Sequence, residues 1–352
     1  MRRLLLVALV IMLMAYREAA QRASVSIPLS GKQKGIAYAA WQPGEYSFAE
    51  SDQALERYAA LGGGWISLIV TGYQDNIDAT SIVKSAATPT DADLIHVIDQ
   101  ARRLGLKVML KPHVDLANDP LRWRGEIGFH FIFEQQWADW FSSYRRFIEH
   151  YAQLAEAHSV EQFSIGTELA STSHRGADWR GVIAGVRARY TGRITYAAMH
   201  SGEETRIRWW DAVDLIGVDA YYPLTYKPRP SLSALRASWT AYVSRLARLA
   251  AAWGKPILIT EIGYRSREGA ARQPDDWATA GPIDLQAQAN AYQAAFESLY
   301  HQPWFAGMYW WMWFPNSRGG LADDSYTPFG KPAEDILRVW YSQPGNEVVT
   351  AQ

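Results

Sequence analysis

Apolar residues recur along this chain in two alternating patterns. Short continuous apolar runs lie at Gly35–Trp41, Trp65–Tyr73, Lys107–Asp115, Gln162–Leu169, Ile194–His200, Val213–Tyr222, Pro256–Tyr264 and Phe305–Trp313. Runs of this length predict strands covered on both faces, as in a parallel sheet. Between them the spacing changes to steps of three and four. Asp91–Leu104 aligns Leu94, Ile98 and Ala101, and Glu134–Ala157 aligns Trp137, Phe141, Tyr144, Ile148 and Tyr151. Leu232–Trp253 and Leu285–Tyr300 repeat the helical pattern. Glycines at 62–64, 105, 192 and 254 punctuate helix ends. The fifth helix is expected to be weak, because little chain separates His200 from Val213. Eight βα units in one series predict the α/β class and a single (β/α)8 TIM barrel. No G-x-G-x-x-G opens a helix, which argues against a doubly wound dinucleotide fold.

The ends of the chain read differently. Met1-Arg2-Arg3 precedes an apolar run from Leu4 to Ala15, the pattern of a secretory leader and too short for a comfortable membrane span. The expected organisation is therefore a signal peptide or N-terminal anchor over 1–23, a catalytic barrel over 34–341 and a tail over 342–352. The protein is expected to be secreted or periplasmic, or tethered through an uncleaved leader.

Composition narrows the partner. A net charge of −1 offers no field for nucleic acid. With 16 Trp and 19 Tyr, the chain has flat surfaces suited to the C–H faces of a neutral sugar, although many of these rings must be core. The absence of Cys excludes disulfides and thiolate metal sites. No H-E-x-x-H or calcium-loop spacing occurs, so neither metal nor cofactor is expected. A monomer is expected.

In a barrel of this kind the site gathers at the C-terminal strand ends. There the chain places Trp41, Lys111, His113, Thr167-Glu168, His200, Asp219, Tyr221, Glu261, Trp311 and Trp313. Glycosidic cleavage needs two carboxyl groups, one to protonate the leaving oxygen and one to attack the anomeric carbon or activate water. Glu168 and Glu261 both follow apolar runs, where an unpaired charge is costly. The alternative is that each makes a structural ion pair with Lys111 or an arginine. Lys111, His113 and Asp219 are sugar-hydroxyl ligands or barrel-mouth ion pairs. Tyr221 is a partner of the nucleophile or a rim tyrosine, and His200 a ligand or a satisfied polar group. Trp311 is a floor for the sugar. By strand alternation it shares a face with Tyr309 and Trp313. Asp323-Asp324 reads as a solvated loop, and Arg265 to Pro282 as a polar loop on the site face.

Ile165-Gly166-Thr167-Glu168, Thr260-Glu261-Ile262-Gly263-Tyr264 and Gly307-Met308-Tyr309-Trp310-Trp311 also carry a family resemblance. With Lys34-Gly35-Ile36-Ala37 and Leu110-Lys111-Pro112-His113, they resemble the clan-A glycoside hydrolases. Within that clan the chain is most similar to family 113, the endo-β-1,4-mannanase family, from about Lys34 to Tyr341. The resemblance implies Glu168 as acid/base, Glu261 as nucleophile and net retention on a neutral β-linked oligo- or polysaccharide. Retention in turn calls for carboxyl groups about 5–5.5 Å apart. Most clan members place Asn before the acid/base to bond the sugar 2-hydroxyl. Here Thr167 stands there, as in family 113, which leaves the 2-hydroxyl ligand open. Other readings of the same residues are a transglycosylase, a hydrolase of another β-glycan such as an exopolysaccharide, and a silent sugar-binding barrel.

Overall fold

The computed structural model describes residues 31–42 and 44–343. The leader expected over 1–23 and nearly all of the expected tail lie outside the described residues. Eight parallel strands close in sequence order, with β8 pairing back on β1. They are β1 Gln33–Tyr38, β2 Trp65–Gln74, β3 Lys107–Leu116, β4 Gln162–Thr167, β5 Arg193–Met199, β6 Leu215–Asp219, β7 Ile257–Ile262 and β8 Phe305–Trp313. One helix follows each: α1 Ala49–Ala60, α2 Asp91–Arg103, α3 Glu134–Ala157, α4 Gly176–Arg187, α5 Glu203–Arg206, α6 Leu232–Trp253, α7 Leu285–Leu299 and α8 Pro332–Ser342. The (β/α)8 barrel expected from the pattern is therefore the fold. The weak fifth helix is a single turn, α5.

Local chemistry explains the element ends. Thr90 caps α2 by accepting from the Asp93 N–H, and Asp93 returns a bond to the Thr90 N–H. Ser231 and Asp284 cap α6 and α7. Gly254 ends α6 in the left-handed conformation at φ 62°. Strands six and seven are shorter than their apolar runs, because residues such as Tyr221, Tyr222 and Tyr264 remain buried after the ladder has ended.

The barrel is plugged at the N-terminal end of its strands by Met109, Leu215, Leu258, Ala306 and Tyr309. Gln33 ties this plug together: it donates to Gln162 at 2.8 Å and accepts from the Tyr309 hydroxyl at 2.6 Å. Gly35 lets the Tyr309 ring lie across β1, since a Cβ there would meet ring carbons at 2.4 Å. Alternate residues face outward and join the helices in one large core that includes Ile36, Leu68, Leu110, Phe163, Val218 and Ile259. The closed end is thus filled by apolar side chains and a small glutamine network, and the charged interior residues lie toward the other end.

Candidate active site

Irregularities in the ladder decide what faces the mouth. Between β4 and β5 the register runs from Ser164↔Thr195 to Thr167↔Ala197, so β4 carries one extra residue. Gly166 is turned outward against Tyr196 and Trp179, where a Cβ would meet carbons at 2.8 and 2.9 Å. Thr167 is buried at the strand end, and Glu168 follows in the left-handed conformation at φ 53°, its N–H bonded to the Ala197 carbonyl at 2.8 Å. A non-glycine residue held there costs about 1–3 kcal/mol and persists only where its surroundings impose it. Between β6 and β7 the register runs from Val218↔Ile259 to Asp219↔Glu261. This lets Thr260 and Glu261 both reach the interior groups of β6. Bulges of this kind re-aim side chains next to functional sites.

The third irregularity corrects one sequence expectation. β8 pairs with β1 from Ile36↔Trp310 to Tyr38↔Trp313, again with one residue in excess. Trp311 faces the mouth, its ring 6.3 Å from and nearly parallel to that of His113, and 6.2 Å from Trp41. Trp313 turns outward instead. It is buried against Tyr58 and Phe329, and its indole N–H donates to the Ala54 carbonyl at 3.0 Å. Strict alternation predicted a shared face for Trp311 and Trp313. The bulge breaks that parity, so Trp313 is a core residue and not a substrate ligand.

Glu261 is crowded with donors. Lys111, fully buried, bonds its Oε1 at 2.5 Å and sits 3.3 Å from both oxygens of Asp219. The Tyr221 hydroxyl donates to Oε2 at 2.8 Å. Thr260 donates to Asp219 at 2.6 Å. Burial, together with the charge of Glu261, pushes Asp219 up to about 7, against the pull of Lys111 and Thr260. One lysine thus faces two buried carboxyls. Burial and the Glu261 charge also hold the Tyr221 hydroxyl well above its ordinary range, which keeps it a donor.

Glu168 has a different setting. About 16% of its side chain is exposed, and the cation beside it is Arg124, 3.6 Å from Oε2. Burial and the charges of Asp219 and Glu261 hold its carboxyl well above the usual range, while Arg124 and Lys111 pull it down. Arg124 is also committed elsewhere. Its Nη2 bonds Asp115 at 2.8 Å and its Nη1 faces His113 Nδ1 at 3.1 Å. Burial and the nearby Arg124 and Lys111 charges keep His113 neutral. With Nδ1 accepting from Arg124, the ring proton is assigned to Nε2, which is buried without a partner 3.6 Å from Glu261 Oε1.

The structure therefore brings Lys111, His113, Thr167, Glu168, Asp219, Tyr221, Glu261 and Trp311 to the barrel mouth, with Trp41 at its edge. The Thr167 hydroxyl is buried and has no hydrogen-bond partner among the described residues. His200 packs edge-on near Tyr221 and Tyr222, and its Nδ1 is also unpartnered. Arg124 and Asp115 were not legible beforehand. Arg124 lies in a short 3-10 turn after β3, and nothing in its neighbours marks it as reaching Glu168. Asp323 also departs from expectation. It is bonded by the buried Lys331 and by Ser325, which hold its carboxyl at about 2 although burial opposes them. It is a structural anchor of the loop after β8, not a solvated residue. Among the described residues no three His, Asp or Glu side chains are grouped as metal ligands.

The comparisons agree with this geometry. No curated protein matches the chain. A solved GH113 β-1,4-mannanase superposes with a TM-score of 0.81 at 30% identity, covering 90% of this chain and 100% of its own. The GH113 β-mannanase AaManA from Alicyclobacillus acidocaldarius, in complex with ManMIm, gives 0.79 at 33% identity, covering 89% and 97%. An endo-β-1,4-mannanase from Thermotoga petrophila shares the fold alone, with a TM-score of 0.52 at 12% identity over 90% of this chain and 78% of its own. The model of Glycoside Hydrolase Family 113 matches residues 37–331, and the chain belongs to that family.

Proposed function

We propose that this glycosidase cleaves β-1,4-linked mannan within the chain by double displacement, with Glu261 as nucleophile and Glu168 as acid/base. The observation that carries the reading is the opposite treatment of the two carboxyls. Glu261 receives hydrogen bonds from Lys111 and Tyr221, which suit a carboxylate, whereas burial and neighbouring negative charge favour the protonated form of Glu168. In the first step Glu168 gives its proton to the glycosidic oxygen as a Glu261 oxygen bonds the anomeric carbon and the leaving alcohol departs. In the second, Glu168 takes a proton from water, whose oxygen attacks the same carbon and releases Glu261. Trp311 offers the apolar floor. The free Nε2–H of His113 and the free Thr167 hydroxyl are the polar groups we assign to the sugar at the cleavage point. Substrate identity rests on the mannanases at 30% and 33% identity.

The test is digestion of mannan, glucomannan, xylan, cellulose and galactan with product sizing, and NMR of the first anomer released. Internal cleavage of mannan with the β-anomer first is expected. Cleavage of a different glycan would reassign the substrate, products longer than the starting oligosaccharide would indicate transglycosylation, and the α-anomer first would overturn retention. We also infer export from the cytoplasm, on the leader pattern over Met1–Ala15. Protein lacking residues 1–23 should be soluble and active, and loss of folding would refute that reading.

A further inference from the structure

The mechanism uses no group on the outer face of β5, yet a buried acid of α5 is bonded there to Tyr196 and through it to the chain beside Glu168. Tyr196 points out of the barrel and packs edge-on against the stacked rings of Trp179 and Trp209, with ring centroids 5.1 and 5.2 Å away. Its hydroxyl oxygen accepts from the Leu169 N–H at 2.9 Å, and its proton goes to Glu203 Oε1 at 2.6 Å. The other oxygen of Glu203 accepts from the Met199 N–H at 2.8 Å. Glu203 is fully buried.

Leu169 is the residue after Glu168. The Glu168 N–H is itself bonded to Ala197 on β5, so the peptide groups on both sides of its Cα are anchored to the same strand. This double anchor is where the left-handed backbone of Glu168 is imposed. The direction of the Tyr196 hydroxyl matters. Because its oxygen accepts from Leu169, its proton must find another acceptor, and Glu203 supplies one. Glu203 therefore orients Tyr196, Tyr196 holds Leu169, and Leu169 fixes the peptide from which the Glu168 side chain is aimed.

We propose that Tyr196 and Glu203 are positioning residues that hold the Glu168 carboxyl on the glycosidic oxygen. This rests on the reading of Glu168 as acid/base. Misaiming a proton donor harms a poor leaving group and spares a good one, whereas general damage to the barrel harms both. The experiment compares kcat/KM on a natural oligosaccharide and on a dinitrophenyl glycoside of the same sugar, for wild type, Tyr196→Phe, Glu203→Gln and Glu168→Ala. Tyr196→Phe strands the Leu169 N–H and a Glu203 oxygen, and should lower kcat/KM on the oligosaccharide about 10–100-fold. It should change the dinitrophenyl substrate less than about twofold. Glu203→Gln can satisfy only one of the two former donors to Glu203 as an acceptor, and should give a smaller loss with the same selectivity. Equal losses on both substrates, or no loss on the oligosaccharide, would overturn the proposal; so would failure of both variants to fold. Glu168→Ala separates the two readings. A leaving-group-dependent loss there but not in Tyr196→Phe sinks the positioning role alone. An equal loss on both substrates in Glu168→Ala sinks the acid/base reading beneath it.

Discussion

The ends of β4 and β7 carry the same residue type at equivalent points of a near-symmetric barrel, and the protein treats them oppositely. At the β7 end, Glu261 is met by the Lys111 ammonium and the Tyr221 hydroxyl, and both groups are themselves buried. At the β4 end, Glu168 has no such donors; Arg124 stands 3.6 Å off and is already engaged by Asp115 and His113. The result is one carboxyl group pinned by hydrogen bonds beside another raised by burial and like charge. Identity of the side chain does not set its role. The donors placed around it do. A second contrast lies in the backbone. Glu261 sits within a strand, whereas Glu168 is held at φ 53° just past one, so the placement of Glu168 depends more on its supports than that of Glu261 does.

That asymmetry can be broken from either side. The largest effect is expected for Glu261→Ala. With no nucleophile, turnover of polysaccharide should fall by more than the roughly 10²–10⁴-fold that proton transfer typically supplies. Azide can then only attack the substrate directly, giving the α-azide by NMR. Glu168→Ala should lose about 10²–10⁴-fold on polysaccharide and much less in the glycosylation step on an activated aryl glycoside. The intermediate still forms on Glu261, so azide should yield the β-azide. Azides of the same configuration from the two variants, or the reverse pairing, would show that the roles are wrongly divided.

Tyr221→Phe removes one donor from Glu261 and keeps the ring. A hydrogen bond to a charged group is worth about 1.5–3 kcal/mol, so kcat/KM should drop roughly 10–100-fold on good and poor leaving groups alike. A loss confined to poor leaving groups would mean that Tyr221 serves the acid instead. Arg124→Met should have the smallest effect on rate and the clearest effect on pH dependence. The guanidinium favours the ionised form of Glu168, so removing it should raise the pKa of that carboxyl further. Activity requires protonated Glu168, and the basic limb of the kcat/KM profile should therefore move to higher pH. A limb that stays in place would show that Arg124 serves Asp115 and His113 and not the acid.

The strands, the order of the units and the position of two glutamates at strand ends were legible because they rest on local pattern. Parallel strands buried on both faces read as unbroken apolar runs, and α3 and α6 begin and end where their periodicity does. The pairing of Lys111 with Glu261 was visible as one of two readings, and that contact is present in the structure. Trp313 and Asp323 were misread for physical reasons. A single extra residue in β8 reverses the side a tryptophan faces, and two acidic residues in a loop look alike whether they meet water or a buried lysine.

Sequence alone determined the class of the fold and which residues stand at the strand ends, because periodicity and chain order are written in neighbouring residues. Tertiary structure decided which of those residues face the mouth, through ladder irregularities in β4, β7 and β8 that have no sequence signature of their own. It also decided what each glutamate can do. Arg124 meets Glu168, Tyr196 meets Leu169, and Lys111 lies between Asp219 and Glu261. These are contacts between residues tens to more than a hundred positions apart. Burial and charge act through space, so the raised carboxyl of Glu168 follows only from the barrel closing around it.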